Sequence, residues 1–124
     1  MHNQPSVSEL VMAVKNFIDE TASPNLDGHA AFHARVASNA LATVLRDLEQ
    51  RTGVEEDEAA RLIALLNTEN QASLDDLNRM LSEKIKAGKM RIDTPELLSH
   101  LKTTTIAQVE IDQPRYSGLK TAKS

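Results

Sequence analysis

The sequence predicts an all-α protein: a single compact bundle of four to five helices. Three observations carry that expectation. Apolar residues make up 40% of the 124, and 15 Ala and 15 Leu, both strong helix formers, supply most of them. Apolar positions recur at spacings of three and four, the period of one helical face. No alternation of apolar and polar residues lasts long enough to build a sheet. The chain has the size of one domain, with an ordered core expected from Ser6 to Tyr116 and a fraying tail over 117–124.

The elements follow in chain order. Ser6 and Glu9 have the spacing of a capping box, in which each side chain bonds the other residue's backbone N–H. Val7, Leu10, Val11, Val14, Phe17 and Ile18 then mark one face of a first helix. The turn formers between Ser23 and Gly28 break it. A second helix is expected from about His29 to Arg51. Phe32, Val36, Ala40, Val44 and Leu48 form its i, i+4 row, widened by Ala37, Leu41 and Leu45. Small residues allow close approach, so this helix is expected at the centre of the bundle, with Gly53 stopping it.

A third helix follows, with Glu55, Glu56, Asp57 and Glu58 in its first turn, where the macrodipole favours negative charge. Ala59, Leu62, Ile63 and Leu66 give its buried face. Residues 67–72 read as a polar connection. Ser73 opens a fourth helix, with Asp76 three positions on and Leu74, Leu77, Leu81 and Ile85 inward. Lys84 and Lys86 fall in its last turn and Gly88 ends it. Thr94 as cap, Pro95 at the first helical position and Glu96 behind it start a fifth helix. Its face is read as Leu97, Leu98, Leu101, Thr105 and Val109. Thr103–Thr105, Ile106, Val109 and Ile111 weaken its helix propensity, and Gln113-Pro114 closes it.

Composition excludes several functions. With no Cys, disulfides, thiolate metal sites and cysteine nucleophiles are ruled out. Two Phe and one Tyr cannot make a stacking platform, and a net charge of −4 argues against nucleic acid. The longest apolar run, Leu62 to Leu66, is too short for a membrane span. The opening residues show no secretory signal, so the expected location is the cytoplasm. The four glycines are isolated and build no phosphate cradle, and there is no Gly-x-Ser-x-Gly elbow. No carboxylate pair sits on an apolar face. No catalytic residue and no cofactor is therefore assigned, and the reading leans towards a non-catalytic protein.

Charge is unevenly distributed. Residues 46–58 are acid-rich, residues 79–91 are base-rich, and the tail from Arg115 carries three bases and no acid. These are read first as solvated faces, and alternatively as a dipolar surface that steers a partner or a second copy. His29 and His33 are one turn apart, but no third ligand completes a metal site. His33 falls in the apolar sector of the second helix and is expected in the core, its nitrogens satisfied by neighbours; the alternative is a pocket residue. Arg35, Asn39 and Arg46 form a polar flank that could also serve as an anion-binding strip. Arg115 and Tyr116 are unusual for a fraying tail and are expected to dock back on the bundle.

Two stretches resemble known sequences. Phe32-His33-Ala34-Arg35-Val36-Ala37-Ser38-Asn39-Ala40-Leu41 and Ile111-Asp112-Gln113-Pro114-Arg115-Tyr116-Ser117 are similar to the signatures of an uncharacterised family of small bacterial all-helical proteins. The opening from Pro5 to Phe17 is similar too, so the resemblance spans roughly residues 5–118. Members are often encoded near aminoglycoside-phosphotransferase-like kinases and acyl-CoA dehydrogenases. The resemblance implies an accessory role in acyl-CoA or phosphotransferase-related catabolism, with such an enzyme as partner. It implies no catalytic residue, but singles out His33, Arg35, Asn39, Asp112, Arg115 and Tyr116. If the second stretch is a signature, it is expected to pack on the second helix near the strip from His33 to Asn39. Three readings follow: an interaction module, a binder of an anionic small molecule (or small enzyme) using a groove beside the second helix, or a homo-oligomer without ligand.

Overall fold

A computed structural model describes residues 4–69 and 71–124; His2, and part of the opening stretch in which no secretory signal is read, lie outside them. The α-helices come in the order α1 (Val7–Phe17), α2 (Gly28–Leu66), α3 (Leu74–Lys86), α4 (Leu97–Asp112) and α5 (Leu119–Lys123). No strand occurs among the described residues. The all-α expectation holds. Contacts group the chain into two compact units, Met1–Gln50 and Arg51–Ser124, and α2 contributes residues to each.

In the first unit the capping box forms as the spacing predicts. The Ser6 N–H donates to Glu9 Oε2 at 2.8 Å, and the Glu9 N–H donates to Ser6 Oγ at 3.1 Å. A π-helical turn (Ile18–Ala22) and a 3-10 turn (Ser23–Asn25) carry the chain out of α1. Gly28 then takes a left-handed φ of 58° to enter α2, a conformation glycine adopts without a Cβ penalty. Asp19, in the π turn, accepts from the buried Ser38 hydroxyl of α2 and from Lys15 Nζ at 2.7 Å.

The sequence expects a stop at Gly53, and the structure removes it. The second and third predicted helices are one continuous helix, α2. A glycine stops a helix by turning left-handed just past its end. Gly53 does not do so, and no proline follows to forbid continuation. An interior glycine costs only about 1 kcal/mol relative to alanine, too little to break a ladder that both flanks propagate. Glu55 to Glu58 consequently lie mid-helix rather than at a dipole terminus. Glu58 instead accepts from Asn78 Nδ2 of α3 at 3.0 Å.

The second unit holds the main core. Leu62 and Leu66 of α2 meet Leu77 and Leu81 of α3, with Met90 and Leu97 closing the cluster. Two helix ends explain the path. After α2, Asn67 turns left-handed (φ 50°), its N–H bonding Ala64 O while the Thr68 N–H reaches back to Ile63 O. After α3, Gly88 (φ 73°) repeats the motif, its N–H bonding Ile85 O and the Lys89 N–H bonding Lys84 O. Both are Schellman ends that satisfy orphan carbonyls. Ser73 caps α3 by accepting the Asp76 N–H at 3.1 Å.

The start of α4 departs from expectation. Thr94 does not cap it: its hydroxyl accepts the Arg91 N–H at 2.8 Å and closes the preceding turn. The helix begins at Leu97, after Glu96 in a left-handed conformation (φ 69°). The inward face turns with it. Leu97, His100 and Ile111 are buried, whereas Leu98 and Leu101 are exposed. Where the sequence predicts a fraying tail, α5 lies against α4, with Leu119 buried and Lys123 paired to Glu110.

Candidate functional site

The predicted site residues fall into two groups, each within its own unit. In the first unit His33, Arg35 and Asn39 are all exposed on α2. The expected core position of His33 is therefore a correction. Its ring sits edge-on to Phe32 at 5.6 Å between centroids, and Phe32 is itself 53% exposed. The cause lies in the whole row: Val36, Val44 and Leu48, read as core, are also exposed, and within residues 28–50 only Ser38 and Leu45 are buried. Arg46, half-buried, donates to Thr43 Oγ1 at 3.0 Å, and the Thr43 hydroxyl donates to Asn39 O. This polar flank is organised along its own helix.

In the second unit the stretch 111–117 is anchored by fully buried Ile111. Asp112 accepts from Gln108 Nε2 at 2.8 Å, and Gln108 Oε1 accepts from Arg51 Nη1 at 2.8 Å. This relay ties the end of α4 to α2. The chain then turns, with the Tyr116 N–H bonding Gln113 O and the Leu119 N–H bonding Tyr116 O. Tyr116 folds over Gly118, where a Cβ would come within 2.7 Å of the ring; glycine is what allows that approach. Val109, Asp112, Gln113 and Tyr116 line a cavity of about 200 Å³. Arg115 remains exposed.

A family model matches residues 24–116, well over half of the 124. The chain belongs to DUF6285, a domain of unknown function. The DUF6285 match includes all six singled-out residues, and it begins after α1. No curated protein and no solved structure matches the chain.

Within the DUF6285 region lies a polar cluster that the spacing of leucines conceals. His100 of α4 is only 4% exposed, and its Nδ1 is buried without a hydrogen-bond partner. Arg61 of α2 donates from Nη2 to Thr104 Oγ1 at 3.1 Å, but its Nε is likewise buried and unpartnered. Both line a cavity of about 190 Å³ together with Ala64, Leu65, Glu96 and Ser99. Burial pushes the His100 imidazole below its ordinary pKa of 6.5; the Arg61 charge adds to this and Glu58 opposes it. A signal for His100 exists in the sequence: Leu97, His100, Thr104 and Ile111 have the three, four and seven spacing of one helical face. The competing face, one position along, contains more leucine.

Proposed function

We propose that this DUF6285 protein is a non-catalytic interaction module whose first unit docks an apolar helical face of a partner enzyme. The observation that supports this reading is the exposed row Phe32, Val36, Val44 and Leu48 on α2. Successive i, i+4 side chains lie one above another, so the row forms a ridge along the helix. Helix α1 adds Val7, Leu10, Val14 and Phe17, a seven-residue-repeat face that is also exposed, and no residue of α1 is buried. Burial of such side chains contributes about 1.5–3 kcal/mol each, so leaving them in water favours a partner that covers them. The family resemblance makes a phosphotransferase-like kinase or an acyl-CoA dehydrogenase the partner class to test.

The test mixes the purified chain with each such enzyme encoded beside it and measures association by sedimentation. Association that Val36→Asp weakens by about 30-fold or more fits a central contact of an interface. Association of the chain only with itself would favour the homo-oligomer reading, and no association at all would remove both.

A further inference from the structure

We propose that α4 is held on α2 by an acid-released latch: protonation of His100 frees α4 and α5 while α2 and α3 stay packed. The make-up of the second unit supports this division. The leucine cluster joins α2 to α3 and reaches α4 only at Leu97, its first residue. Beyond Leu97, two arginines of α2 hold α4 by hydrogen bonds. Arg61 Nη2 donates to Thr104 Oγ1 at 3.1 Å, and Arg51 Nη1 donates to Gln108 Oε1 at 2.8 Å. Water replaces such bonds at small net cost, whereas it does not replace buried leucine contacts. Ile111 and Leu119 are buried outside the leucine cluster, and α5 packs on α4, so these two helices form one piece. Segments with few buried apolar contacts open at lower free energy than the core they lean on.

His100 sits in this polar interface. It is buried, and its Nδ1 has no hydrogen-bond partner, so the packed chain offers an imidazolium no acceptor at that atom. Burial disfavours the charged ring most. Arg61 of α2 adds to this more than Glu58 of α2 opposes it. Glu58 is itself engaged by Asn78 Nδ2 of α3 at 3.0 Å. Glu96, in the turn before α4, is exposed, where water and salt screen its charge. Arg61 Nε is buried without an acceptor, so no carboxylate offsets the guanidinium at that atom. A proton on His100 therefore puts a second cation into the same interface. Moving α4 off α2 returns both cations to water, and the proton is taken up by the open form. His29 and His33 are exposed in the first unit and make no part of this interface.

The test is amide hydrogen exchange of the full chain at about pH 7.5 and about pH 5.5, read as protection factors so that the intrinsic pH dependence of exchange cancels. Protection of the α4 amides should fall about three- to tenfold relative to those of α3, because an exposed imidazole of ordinary pKa takes up a proton that the buried one resists. In His100→Gln the ratio of α4 to α3 protection should stay constant over the same range. Two charge variants keep the imidazole in place and test the latch even where His100→Gln fails to fold. Glu58→Gln should enlarge the fall, and Arg61→Gln should reduce it. Parallel loss of protection in α3 and α4 would overturn the latch and leave a uniform loss of stability. A ratio that does not move with pH would overturn it too, as would one that still moves in a folded His100→Gln chain or ignores both charge variants.

Discussion

The neutral state of His100 ties the stability of the chain to pH. Its folded pKa lies below the ordinary 6.5 because burial penalises the imidazolium. Between those two values the unfolded chain binds more protons than the folded one. The stabilisation is therefore whole above about pH 6.5 and is lost as pH falls through the folded value. The midpoint of urea unfolding should drop between about pH 7.5 and about pH 5.5, and drop less in His100→Gln. Asp19 acts in a separate, more acidic window. Hydrogen bonds from Lys15 and then Ser38 hold its carboxyl below the usual 3.8, so its contribution is present above that value and lost as pH falls through the folded one. Residue identities are legible in the sequence, but their environments are not. His33 stands on an apolar-looking sector yet faces outward, while His100 carries no motif and is buried.

At the scale of elements, two glycines respond in opposite directions. Gly53 lies inside α2 with open space where a methyl group would sit, so Gly53→Ala should raise stability by about 0.5–1 kcal/mol in thermal or urea unfolding. Had Gly53 ended a helix in the left-handed form, the same change would lower it. Gly88 does adopt that form, and Gly88→Ala should cost about 1 kcal/mol by the same measurement. Local chemistry explains why some boundaries are readable. Ser6 with Glu9, Ser73 with Asp76, and Gly88 each state their role through short-range hydrogen bonds or backbone freedom. The ends that mislead, at Gly53 and Thr94, are decided by what the neighbouring residues continue to do. A glycine is compatible with both an interior and an end, and a Thr-Pro pair can close one turn as well as open the next.

For the molecule as a whole, periodicity tells which residues share a helix face but not whether anything covers that face. Leu62 and Leu66 of α2 and Leu77 and Leu81 of α3 follow the simple rule and are buried as their spacing predicts. The row from Phe32 to Leu48 has equally good spacing, yet Phe32, Val36, Val44 and Leu48 stay exposed. Stability and recognition should therefore separate. Leu62→Ala, in the closed core, should cost about 3 kcal/mol in urea unfolding, whereas Val36→Ala should change stability by less than about 0.5 kcal/mol. The six residues singled out by resemblance divide between the units: His33, Arg35 and Asn39 in the first, Asp112, Arg115 and Tyr116 in the second. The most direct measurement of the docking account is sedimentation velocity of the native chain and Val36→Asp with the proposed partner class, a phosphotransferase-like kinase and an acyl-CoA dehydrogenase from the same cell. The account predicts that the native chain co-sediments with one of them and that Val36→Asp, still folded, sediments alone. A native chain that sediments apart from every such enzyme, or a Val36→Asp chain that binds as tightly as the native one, would contradict it.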